Sequence, residues 1–134
     1  MTNYIEDMMK TAGVEPVYIV KENSERMKAK AIFHKKNEAE NYQKKFGGEL
    51  SKGFNFTAEK QLEIIKFIGS RKDFYINIAG AKWELSALSD SNFDGILEIQ
   101  NQDFTQALAQ LTTELMNTGE LDKEIVKEIL EDAR

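Results

Sequence analysis

The chain contains no cysteine, and only one histidine (His34) and one proline (Pro16) in 134 residues. The missing thiols exclude cysteine nucleophiles, cysteine-ligated zinc and a disulfide framework. A single imidazole leaves no set of histidines to share a metal, and a zinc site wants at least three protein ligands. Apolar runs are only a few residues long, far short of the roughly 20 that cross a bilayer. The opening Met1-Thr-Asn-Tyr-Ile-Glu-Asp places acids where a signal peptide carries bases. A cytoplasmic protein with no membrane partner is the expectation.

Charge is plentiful and uneven. Charged residues make up 31% of the chain and the net charge is −5. Residues 1–20 carry −2, residues 21–72 carry +6 (13 bases, 7 acids) and residues 73–134 carry −9 (4 bases, 13 acids). A basic middle followed by an acidic end fits two faces meant for different partners, or plain solvated surfaces. The length suits one domain or one domain with an appendage, and it buries enough surface to fold without a metal or disulfide.

Local signals give the element order. Asn3 caps a helix over 4–12 that Gly13 stops, and Val17–Val20 is a β-branched, aromatic strand. Helix propensity favours helix over 25–35, whereas Met27, Ala29, Ala31 and Phe33 alternate as in a strand paired with 17–20. Residues 36–46 read as helix, with Ala39, Tyr42 and Phe46 on one stripe. Gly47 to Asn55 reads as a loop and hinge. Thr57 caps a helix that Gly69 ends.

Alternating runs at 74–79, 82–87 and 96–99 form an antiparallel meander, with turns at Ala79-Gly-Ala81 and Asp90–Gly95. Asp103 with Gln106 resembles a capping box before a helix over 103–117, and Asp122 caps a last helix within 121–132. Three strands with one apolar face need a helical cover. The expected class is α+β: a mostly helical 1–52 subdomain, then a 53–134 domain in which helices 57–68 and 103–117 pack on the sheet.

Several constellations bear on chemistry. His34 and Glu38 sit one turn apart if 25–46 is helical. Asp90, Asn92 and Asp94 before Gly95 copy half of an EF-hand loop, although position twelve is Asn101 instead of Glu; an Asx-rich hairpin turn explains the same residues. This makes Ca²⁺ a weak candidate ligand, and no other cofactor is indicated. Gly47, Gly48 and Gly53 among Lys44, Lys45 and Lys52 lack the phosphate-loop spacing, and Glu49 repels phosphate.

Lys28, Lys30, Lys35, Lys36, Lys44, Lys45 and Lys52, with Tyr42 and Phe46 nearby, form the one nucleic-acid candidate. Tyr42 and Phe46 are expected in the core, which weighs against it. The acids Asp90, Asp94, Glu98, Asp103, Glu114, Glu120, Glu124, Glu128 and Asp132 offer the converse: a negative face for a basic protein, or a solvated helix surface. An enzyme would need a deep pocket joining Asp or Glu to Asn77, Tyr75 or Trp83. Trp83 itself is read as core.

Three segments carry a family likeness: Phe54-Asn-Phe-Thr-Ala-Glu-Lys-Gln-Leu-Glu-Ile-Ile-Lys-Phe-Ile68, Asp103-Phe-Thr-Gln-Ala-Leu-Ala-Gln-Leu, and Gly119-Glu-Leu-Asp-Lys-Glu-Ile-Val-Lys-Glu-Ile-Leu130. They resemble small uncharacterised proteins of phages and prophages of Gram-positive bacteria, which carry a variable strand stretch between them. The likeness spans about 53–131, and its helix–three strands–helix order is similar to the phage ABA-sandwich domain. It implies a phage accessory protein and supplies no catalytic residue. The resulting expectation is a non-enzymatic protein acting by protein–protein contact, through the acidic C-terminal region or the Gly47–Phe56 loop. The alternative is a nucleic-acid-binding module using the lysines of 28–52.

Overall fold

The computed structural model describes residues 3–21, 30–88 and 96–131. It is α+β, with five helices and two three-stranded antiparallel sheets among those residues. The chain divides into two compact units: 1–14 with 56–134, and 15–55.

The larger unit begins with α1 (Tyr4–Ala12). Asn3 Oδ1 accepts from the backbone N–H groups of Ile5 and Glu6, and Gly13 closes the helix in the left-handed region at φ 81°. The apolar residues Met8, Met9 and Ala12 are buried. Next come α3 (Ala58–Arg71), β4 (Phe74–Ala79), β5 (Lys82–Leu88), β6 (Ile96–Asn101), α4 (Phe104–Asn117) and α5 (Lys123–Leu130). The sheet order is β4-β5-β6.

Helix α4 is the hub. It lies against β5 and β6 on one side and meets α1 and α3 on others. Its own sequence explains this: Ala107, Leu108, Ala109, Leu111, Thr112, Leu115 and Met116 are all buried, so apolar groups cover most of its circumference. The buried Thr112 hydroxyl donates to Leu108 O at 2.7 Å, so no polar atom is stranded there. Helices α1 and α3 each also contact α5. The expected packing of 57–68 on the sheet is therefore corrected: α3 packs on helices α4 and α5. It also runs through Gly69 to Arg71. The capping box is half formed. Asp103 Oδ1 accepts from Thr105 and Gln106 N–H, but Gln106 Oε1 reaches away to accept from Tyr4 N at 2.9 Å, tying α4 to the start of α1.

The smaller unit holds β1 (Val17–Lys21), β2 (Lys30–Phe33), α2 (Lys36–Phe46) and β3 (Glu49–Gly53), in sheet order β2-β1-β3. Two expectations fail here. Residues 30–33 form a strand antiparallel to β1, in the register Tyr18–Phe33 and Val20–Ala31, so the alternation over 29–33 outweighs helix propensity there. Residues 49–53 form β3 instead of a loop, paired Val20–Leu50 and Tyr18–Lys52. Tyr18, Val20, Ala31, Phe33, Leu50 and Lys52 share the face under α2, where Tyr42 meets the Phe33 ring at 5.3 Å. A 1–52 subdomain also differs from the observed division, because α1 belongs with the larger unit and 15–55 carries three strands.

Candidate functional site

Strand β4 has the strand pattern of a half-buried element, yet it is largely uncovered. Its register pairs Phe74 with Ala87, Ile76 with Leu85 and Ile78 with Trp83. Those β5 partners face α4: Leu85 and Ala87 are buried, and Trp83 packs edge-on against Phe104 with ring centroids 5.0 Å apart. Trp83 is thus half-buried against α4, near the core reading. Ile76 and Ile78 belong to the same face but remain 42% and 60% exposed, because α4 lies over β5 and β6. On the other face Tyr75 is 61% exposed. Among the described residues, seven large hydrophobics are exposed; β4 holds Tyr75, Ile76 and Ile78, and no other element holds more than one.

β4 is also an edge. Among the described residues it pairs with β5 alone, so its outer row of N–H and C=O groups is open for pairing. Edge strands are commonly guarded by charge. The other three edges follow this rule: β2 carries Lys30, β3 carries Glu49 and Lys52, and β6 carries Glu98. β4, Phe-Tyr-Ile-Asn-Ile-Ala, carries none.

Beside it lies a shallow dish of about 330 Å³ on the sheet face away from α4, lined by Tyr75, Asn77, Glu84, Ser86, Leu88 and Glu98 among others. Register sets Asn77 beside Glu84, and Ser86 between Tyr75 and Glu98. Gln100 Nε2 donates to Glu98 Oε1 at 3.4 Å. This is the grouping of carboxylates with Tyr75 and Asn77 that an enzyme would need, laid on an open sheet. Water reaches Glu98 freely, and Glu84 is half-buried. Such a surface offers hydrogen bonds and attraction for cations.

The remaining sequence candidates distribute as follows. Asp90, Asn92 and Asp94 lie outside the described residues, as does Lys28. No group of three or more His, Asp or Glu residues placed to hold a metal occurs among the described residues. His34 precedes α2 and is exposed, so it does not share a helix turn with Glu38. Lys35, Lys36, Lys44, Lys45 and Lys52 are all exposed, while Lys30 sits opposite Lys21 in the β1–β2 register. Lys36 Nζ lies 3.9 Å from Glu40. Phe46 departs from its expected core position. It is 58% exposed at the end of α2, its ring centroid is 4.7 Å from that of Tyr42, and Lys45 Nζ lies 5.4 Å above it.

The acidic face is smaller than the sequence implies. Glu98, Asp103, Glu124 and Glu128 are exposed, but Glu120 is withdrawn into an ion pair with Lys72 at 3.1 Å, the two side chains being 6% and 7% exposed. Thr118 Oγ1 donates to the other Glu120 oxygen at 2.8 Å. This pair joins the end of α3 to the turn between α4 and α5. No local sequence signal marks it, since Lys and Glu near helix ends ordinarily face water. No helix among the described residues is long and apolar enough to cross a membrane. The chain matches no protein-family model, no curated protein and no solved structure.

Proposed function

We propose that the protein is a non-enzymatic accessory protein of the phage or prophage type, acting in the cytoplasm of a bacterial host by protein–protein contact, with β4 as the contact strand. The observation that carries this reading is the exposure of Ile76 and Ile78 on an uncharged, open sheet edge. An added strand satisfies the free backbone groups, while alternate side chains find pockets on either face. The dish behind Tyr75 gives that strand polar anchors, and Glu84 and Glu98 favour a basic side chain there. The family likeness is carried by segments on either side of this sheet, whose strands fall in the variable stretch between them.

The test is capture from a Gram-positive host lysate on the immobilised protein. Ile78→Lys places a charge in the centre of the contact at a position already 60% exposed, so the fold survives. Captured protein is expected to fall by about tenfold or more. Glu63→Lys, on the exposed side of α3, is the control and leaves capture unchanged. Equal capture by both variants contradicts the reading.

One observation supports a second reading, binding of single-stranded nucleic acid by the smaller unit. The tilted ladder Phe33–Tyr42–Phe46 ends in an exposed ring beside Lys44 and Lys45, and stacking on such a ring is worth about 1–3 kcal/mol per base. Fluorescence anisotropy with a labelled single-stranded oligonucleotide at about 50 mM salt should then show binding that Phe46→Ala weakens roughly 5–100-fold, and that steepens in salt dependence with each lysine engaged. A flat anisotropy titration removes this reading.

A further inference from the structure

Resting on the reading of β4 as the contact strand, we infer that the partner seated on it is a second copy of this chain, paired antiparallel about a two-fold axis at Asn77. The strand is its own complement. Setting Asn77 opposite its symmetry mate places Ile76 opposite Ile78 and Tyr75 opposite Ala79. On the α4 side, Ile76 and Ile78 of the two chains then form a four-membered aliphatic cluster, covering the two isoleucines that are 42% and 60% exposed in one chain. On the other side the two Asn77 amides meet, where they can hydrogen-bond across the axis. Such a contact is isologous and closes on itself, so it yields a dimer with a continuous six-stranded sheet and no fibre at this edge.

Charge selects the same edge. Residues 73–134 carry −9, so two copies repel over most approaches. Along β4 no charge stands in the way. Glu84 on β5 is separated from its symmetry mate by three strand spacings, roughly 14 Å, beyond the ~8–10 Å over which exposed charges act at physiological salt. The three other edge strands each contain a Lys or Glu.

Sedimentation velocity on the full chain at ~100 µM, above the micromolar range of a small interface, should give twice the 15.3 kDa chain mass. Ile78→Lys should return the monomer mass at the same concentration, with a far-UV spectrum like the parent's. The lack of native cysteine allows a second readout. Under copper–phenanthroline oxidation Asn77→Cys should form a disulfide dimer, because antiparallel partners on an axis lie within the Cα distance a disulfide spans. The exposed control Glu63→Cys should lag at least tenfold. A monomeric parent, a dimer indifferent to Ile78→Lys, or Asn77→Cys linking no faster than the control each overturns the inference. The two readings fail separately: a monomeric parent whose lysate capture is still lost on Ile78→Lys sinks the second copy alone, whereas a monomeric parent whose capture also survives Ile78→Lys sinks the contact strand itself.

Discussion

Glu120→Ala is expected to cost the larger unit about 3–5 kcal/mol, the usual penalty for breaking a buried ion pair by removing one partner. The geometry justifies that scale. Lys72 Nζ and Glu120 Oε1 are 3.1 Å apart, and both side chains are shielded from water. Removing the carboxylate takes away an opposite charge 3.1 Å from a shielded ammonium, and it removes one of the two acceptors of the Thr118 hydroxyl, which keeps Leu115 O at 3.1 Å. The pair bridges the last turn of α3 to the α4–α5 connection, so its loss loosens three helices together.

Urea unfolding followed by Trp83 fluorescence measures the cost, since this is the only tryptophan and it sits on Phe104 within the same unit. The double variant Lys72→Met, Glu120→Leu removes both charges and should recover most of the loss. A change below about 1 kcal/mol would place the pair with solvent-exposed ion pairs and contradict its burial. Lys10–Glu6, with both side chains well exposed at 3.1 Å, supplies that comparison within the same chain.

Gly48→Ala is expected to destabilise the smaller unit by about 3 kcal/mol, combining positive-φ strain of about 1–3 kcal/mol with a steric clash. Gly48 has φ 108°, and a Cβ there would stand 2.7 Å from Lys21 O and 3.0 Å from Val20 Cγ1. The clash is with the backbone of the central strand, which cannot swing aside without opening β1–β3. Gly13 is the internal control. It too has a positive φ, 81°, but a Cβ would meet nothing within 4 Å, so Gly13→Ala should cost only about 1 kcal/mol. Because Trp83 lies in the other unit, the readout is amide hydrogen exchange over Val17–Lys21, which should accelerate in Gly48→Ala. Unchanged protection of β1 would argue against the close approach of Gly48 to it.

Elements with local instructions were legible in the sequence. α1 announces itself by Asn3 and Gly13, α4 by Asp103 and its leucine spacing, and the meander by strict alternation around Gly80. β3 was not, since Glu-Leu-Ser-Lys-Gly has little strand propensity and owes its form to non-local pairing with β1. The strand at 30–33 carried both a helix-forming composition and an alternating pattern, and only pairing with β1 decides between them. Alternation correctly grouped Phe74, Ile76 and Ile78 on one face of β4. It could not reveal that α4 stops short of that edge, because coverage depends on where a helix thirty residues away comes to rest. For the same reason Phe46 read as core, although a stripe residue in a helix's last turn overhangs the sheet. The Lys72–Glu120 pair is the clearest case: its residue types look like surface, and only the tertiary fold brings them together.

The most direct test puts a photo-crosslinking phenylalanine analogue at Tyr75, an exposed aromatic on β4, and separately at Phe46, then irradiates each protein in host lysate. With β4 as the contact strand, position 75 yields protein adducts and position 46 yields none. Nucleic-acid adducts at position 46, with nothing at position 75, would contradict it.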